Sequence, residues 1–143
     1  MAISKEWYNK HIEVDKKFSR RLFFEFEIGL SKAILKVDPT HIEALQMLGH
    51  ALTHARRHRE ALEVDKKLVK LLPREPIAFY NLACSYSNLR RPGEALRALR
   101  RALQLGYRDF ESMLKDPDLK NLRKDPRFWM MIAPYCKHPT KER

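Results

Sequence analysis

His50, His54 and His58 recur every four residues, and Cys84 lies 34 residues beyond His50. Two histidines at that spacing share one face of a helix and can chelate a metal, with a thiolate from a neighbouring helix as a third ligand. His50 beside Cys84 would also suit a thiol and its base. Neither set is completed by its surroundings. No Asp or Glu joins the three donors, and His58 falls past the end of the helix that carries the other two. His50, His54 and Cys84 are therefore weak metal candidates whose expected role is ordinary hydrogen bonding, with no metal and no cofactor. Asp116, Asp118 and Asp125 are better explained as helix caps and first-turn charges than as acids or ligands. The chain holds no glycine-rich phosphate loop, no nucleophile elbow and no paired carboxylates in a plausible cleft. No catalysis is expected.

The elements that would position these residues come from a pattern written twice, offset by 34 residues. Leu45 matches Phe79, Leu48 matches Leu82, Gly49 matches Ala83, Leu52 matches Tyr86, Glu60 and Ala61 match Glu94 and Ala95, and Leu68 matches Ala102. Residues 42–75 add Pro73 at the closing position, where residues 76–109 have Tyr107. The pattern resembles the tetratricopeptide repeat, which implies two antiparallel helices per unit, here termed A and B. Small side chains at Gly49/Ala83 and Ala61/Ala95 permit the helices to cross closely, and larger ones fill the space between units. Asp65 departs from this, standing at the helix-B position where the resemblance implies an aromatic, and predicts looser packing or a helix turned toward solvent.

This spacing is that of the tetratricopeptide repeat, and the chain resembles that family. The resemblance implies an all-α, right-handed solenoid of antiparallel helix pairs, with about seven helices, in a single domain covering residues 1–143. Residues 1–41 are read as an N-terminal capping helix followed by a degenerate first repeat. Ser4 is a possible N-cap, and Trp7, Ile12, Val14 and Phe18 supply an apolar stripe. From Leu22 the apolar spacing is helical, through Phe26, Leu30, Ala33, Ile34 and Val37, and matches helix B of the next repeat at Leu30/Val64, Ile34/Leu68 and Pro39/Pro73. Residues 42–75 and 76–109 are the full repeats. Arg91-Pro92-Gly93 marks the turn within the second, and Gly106 ends its helix B.

Beyond Gly106 the pattern changes. Asp109, Asp116-Pro117 and Asp125-Pro126 each read as an N-cap, with short helices after Asp109 and starting at Pro117 and Pro126. Phe110, Met113, Leu114, Leu119, Leu122, Phe128, Trp129, Met131 and Ile132 are expected to face inward. Residues 110–136 thus form a closing cap, and its Asp-Pro-rich wording is similar to the end of a mostly bacterial subset of the family. Residues 137–143 are a basic tail.

The family's function is binding other proteins, so the resemblance implies a non-enzymatic scaffold or adaptor that takes a peptide or helix in a concave groove. Helix A lines that groove, through Glu43, Gln46, Met47, His50, Thr53 and His54, then Ile77, Tyr80, Asn81, Cys84, Ser87 and Asn88. Family members that grip a C-terminal carboxylate use Lys, Asn and Arg at set positions, of which only Asn81 is present here.

Charge adds a second surface. Lys and Arg number 29 against 18 Asp and Glu, leaving +11. Lys32, Arg56, Arg57, Lys66, Lys67, Arg90, Arg91, Arg100 and Arg101 include several positions in repeat register, which implies a ridge suited to an acidic partner, with sequence-indifferent nucleic-acid binding as the alternative. Two cysteines make no disulfide framework, no run is long enough for a membrane span, and no secretory signal opens the chain, so a cytoplasmic location is expected.

Overall fold

A computed structural model describes residues 4–136; the basic tail at 137–143 and the Val14 side chain lie outside what it describes. Among the described residues the chain is all-α, with seven α-helices and two short 3-10 turns. It falls into two compact units, Met1–Arg57 and His58–Arg143.

The first unit holds α1 (Lys5–Val37) and α2 (Ile42–His54), packed side by side. The Ser4 hydroxyl accepts from the Trp7 amide at 3.1 Å and opens α1, with Glu6 in the first turn beside the positive end of the helix. The helix then runs unbroken for 33 residues. Leu22 and Phe23, in repeat register with Arg56-Arg57 and Arg90-Arg91, continue the helix where the later repeats turn. The capping segment and the degenerate helix B are consequently one rod, roughly 50 Å long. No Pro or Gly stands near residue 22 to stop it. It ends at Asp38, held out of helix by Pro39, with the Asp38 carboxylate accepting from the Thr40 amide at 3.1 Å. Among its described side chains Ile28 and Ser31 are buried, whereas much of the apolar stripe is exposed, Phe18 at 62%, Leu22 at 53%, Phe26 at 67% and Val37 at 89%. On α2, Leu45, Leu48, Ala51 and Leu52 are buried, and His41 Nδ1 accepts from the Ala44 amide as the cap.

The second unit holds α3 (His58–Leu71), α4 (Pro76–Asn88), α5 (Pro92–Gln104), α6 (Phe110–Lys115), the 3-10 turns Pro117–Leu119 and Leu122–Lys124, and α7 (Pro126–Cys136). Helix α4 packs against α5 on one side and α3 on the other. Ala83 and Ala95 are fully buried, the close crossing expected of small side chains. Leu99, Leu103, Met113, Leu119, Leu122 and Phe128 fill the centre, each worth roughly 1.5–3 kcal/mol in area removed from water. Leu114 and Trp129 lie outside that core, partly exposed, and the Trp129 indole instead donates to the Arg123 carbonyl at 2.8 Å.

Helices α2, α4 and α5 end alike. The amides of Arg57, Arg91 and Tyr107 reach back to Leu52, Tyr86 and Ala102, and those of Arg56, Arg90 and Gly106 to Thr53, Ser87 and Leu103. The residue between lies in the left-handed region, Gly106 at φ 107°, Arg56 at 58° and Arg90 at 56°. Glycine does this without strain; the two arginines do not.

Candidate functional site

The closing segment reaches across α4 and binds the side chains expected to line a groove. Asp116, Asp118 and Asn121 do this because Asp116 caps the Pro117 turn, accepting the Asp118 amide at 2.9 Å through Oδ1 and leaving Oδ2 pointed at α4. The Tyr80 hydroxyl donates to that oxygen at 2.6 Å, while the Tyr80 ring stacks on Tyr107 with centroids 4.3 Å apart. The Cys84 thiol donates to the same oxygen at 3.9 Å. Asn88 donates to Asp118 at 3.0 Å, the Ser87 hydroxyl accepts from the Leu122 amide at 3.2 Å, and the Ser87 carbonyl accepts from Asn121. Arg123 ties the segment down by donating to the Met113 and Asp116 carbonyls.

Tyr80, Cys84 and Ser87 are therefore buried and engaged within the chain, while Ile77 and Asn81 stay open. Burial first, then the neighbouring Cys84 and Asp116, push the Tyr80 phenol well above its ordinary range. Burial first, then the Asp116 carboxylate, push the Cys84 thiol up as well. That is the reverse of what a nucleophilic thiolate needs.

Ser85 and Asp65 make a second buried pair. The Ser85 hydroxyl donates to Asp65 Oδ2 at 2.6 Å, linking α4 to α3. Asp65 is 5% exposed, so helix B is not turned toward solvent at this position. A short polar side chain fills the place of a large apolar one because Ser85 supplies its partner. Burial raises the carboxyl to about 6, the Ser85 hydrogen bond partly offsetting it.

On α2 the outward row is open. Glu43, Gln46, His50 and His54 are exposed, and Met47 and Thr53 are half-buried. Phe24 of α1 stacks on His54 with centroids 4.7 Å apart, and the His50 and His54 rings lie 4.4 Å apart. Among the described residues no three His, Cys, Asp or Glu side chains gather as metal donors; His50 and His54 lie in the first unit and Cys84 in the second. His58 begins α3, past the end of the helix carrying the other two histidines.

The ridge residues keep to their own units. Lys32 and Arg56 are exposed and Arg57 half-buried, with Arg57 Nη1 4.0 Å from Glu25. In the second unit Lys67, Arg90, Arg91, Arg100 and Arg101 are exposed. Lys66 pairs with Glu63 at 3.1 Å, Arg91 with Glu94 at 2.6 Å, and Arg101 lies over the Phe79 ring. Below Arg90 and Arg91, where α4 turns into α5, a cavity of about 530 Å³ opens against Lys124 and Pro126. Its signal in sequence was the Arg-Pro turn facing an Asp-Pro cap, two loop signatures far apart in the chain.

No helix of the described residues is long and apolar enough to cross a membrane. Residues 76–109 match the family model described as tetratricopeptide repeat, on the bounds that the 34-residue offset gives. The chain is 43% identical over 75 residues to a chloroplastic protein of Arabidopsis thaliana, covering 50% of this chain and 22% of that protein. It is 38% identical over 69 residues to a TPR repeat-containing protein of Picosynechococcus sp., covering 48% of this chain and 18% of that one. The chain thus spans less than a quarter of the length of either relative. Repeat spacing, helix pairs on that spacing and these likenesses agree: the chain contains a tetratricopeptide repeat at residues 76–109 and is similar over about half its length to these relatives.

Proposed function

We propose that the chain is a non-enzymatic protein-binding module whose partner-facing surface is the open row of α2; in the second unit, taken by itself, α4 leaves Ile77 and Asn81 exposed. Tetratricopeptide repeats generally serve protein–protein interaction. The observation that carries the finer reading is the difference between the two rows. Tyr80, Cys84 and Ser87 are closed by the chain's own Asp116–Leu122 segment, whereas Glu43, Gln46, His50 and His54 face solvent. A peptide or helix meets an amide, two imidazoles and a carboxylate on that row, a mixed set suited to side-chain and main-chain hydrogen bonding.

The ridge adds an acidic preference to the partner. Arg56 and Arg90 hold a left-handed backbone that glycine would adopt more cheaply, and strain kept at two equivalent turns supports a use for their guanidinium groups. The test is capture of partners from source lysate at ~150 mM salt, where surface charges are screened beyond roughly 8 Å, with and without nuclease. A protein that survives nuclease and is lost on Gln46→Ala/His50→Ala supports the reading. Retention that vanishes wholly with nuclease assigns the ridge to nucleic acid and removes the groove. The proposal places the module in the cytoplasm; one relative is named chloroplastic, and imaging of a tagged chain distinguishes the two compartments.

A further inference from the structure

We infer that the outer face of α1 is a docking surface for an acidic amphipathic helix of a partner protein. Seven of the twelve large hydrophobic side chains exposed among the described residues belong to α1, which concentrates them on one helix. Phe18, Leu22, Phe26 and Leu30 succeed one another at intervals of four, with Ala33 and Val37 on the same side. At 100° per residue this row is nearly opposite Ile28 and Ser31, the side chains buried on α1. A helix apolar on both sides is built to be covered on both.

Repeat register identifies what is missing. Leu30 corresponds to Val64 and Ala98; it is 41% exposed, against 7% and 6% for those two. Ala98 lies on α5, which α4 of the same repeat covers. In α1 the equivalent helix A does not fold back, because the chain runs straight through Leu22 instead of turning as it does at Arg56 and Arg90. The uncovered face is thus one that a helix fills elsewhere in this chain, which favours a helix over a lipid surface.

Charge selects which helix. Between residues 16 and 37, α1 carries six basic side chains against two acidic ones, and one of the two, Glu25, is already near Arg57 at 4.0 Å. A second copy is disfavoured. Parallel pairing sets Lys16 and Lys36 against themselves, and antiparallel pairing centred on Phe26 sets Lys16 against Lys36 and Arg20 against Lys32, like charge on like. Acidic flanks on a partner helix complement the same positions.

This surface is separate from the α2 row, so it stands whether or not the proposed groove does. The test uses the full chain and a fluorescein-labelled 20-residue peptide with Leu at every third or fourth position and Glu between, beside a counterpart with Lys for every Glu. The expected result is saturable binding of the Glu peptide at least about tenfold tighter than the Lys peptide. Phe26→Asp, an exposed substitution, should weaken it about tenfold or more, while Arg100→Glu/Arg101→Glu and Gln46→Ala/His50→Ala leave it within about twofold. No binding, or binding that the ridge variant abolishes and Phe26→Asp spares, overturns the inference. So does an α1-dependent dimer in sedimentation, or Phe26-dependent binding to phosphatidylserine vesicles, when the Glu peptide does not bind.

Discussion

The Tyr80 hydroxyl and the Asp116 carboxylate meet at 2.6 Å, and through that bond a repeat helix is fastened to the segment that closes it. Asp116 caps the Pro117 turn with its other oxygen, so one side chain serves a local turn and a contact 36 residues away. The arrangement makes α4 a supporting wall for the cap as well as a member of the repeat.

Tyr80→Phe keeps the stack on Tyr107 and removes only the donor. It should cost roughly 1–3 kcal/mol, because a partly buried carboxylate loses a charge-assisted bond. Urea denaturation of Tyr80→Phe, Asp116→Ala and the double variant checks it. A coupling of about 1 kcal/mol or more is expected, and simply additive losses would show that the bond contributes nothing.

Asp65 makes stability depend on pH in the direction opposite to most carboxylates. Its folded value is about 6 against an ordinary 3.8, with burial as the cause. Between those values the folded chain keeps a proton that the unfolded chain has lost, so this group's contribution falls as pH rises from about 4 to about 6, on the order of 3 kcal/mol in all. Asp65→Asn retains an acceptor for Ser85 and has no charge to bury. It should be more stable than the parent by about 1–3 kcal/mol at pH 7, with the advantage shrinking toward pH 4. An advantage of equal size at both pH values would contradict the assignment.

Arg56→Gly and Arg90→Gly should each stabilise the chain by up to about 1 kcal/mol, since glycine accepts the left-handed backbone that these arginines adopt under strain. Thermal unfolding should move up by about 3 °C per substitution. A lowered midpoint would mean that the guanidinium groups hold the turns together.

Much of the fold was legible because the repeat writes it twice. Helix α4 and the family match share the start at Pro76 that the offset gives, and Ser4, Asp109, Asp116 and Asp125 cap where single residue types signal it. Gly106 likewise ends α5. The misses were long-range. Asp65 was visible as a departure, but Ser85, 20 residues on, obeys no repeat spacing and so gave no sign that it would satisfy the carboxylate. The groove residues Tyr80, Cys84 and Ser87 were placed from the family's habit, and only the folded chain shows the closing segment lying over them. On α1, register suggested two segments where local chemistry allowed one. The apolar spacing showed that a stripe existed without showing which neighbour would cover it.

The rod of α1 has a consequence for how the backbone opens. From Ser4 to Phe23 none of the side chains the structure describes is buried, and the first buried one is Ile28. The early turns are held by their own hydrogen bonds and the Ser4 cap, without the tertiary packing that supplies most helical stability in proteins. Amide hydrogens should therefore exchange within seconds near Trp7 and progressively more slowly toward Ser31, a protection gradient along one continuous helix rather than a single cooperative step.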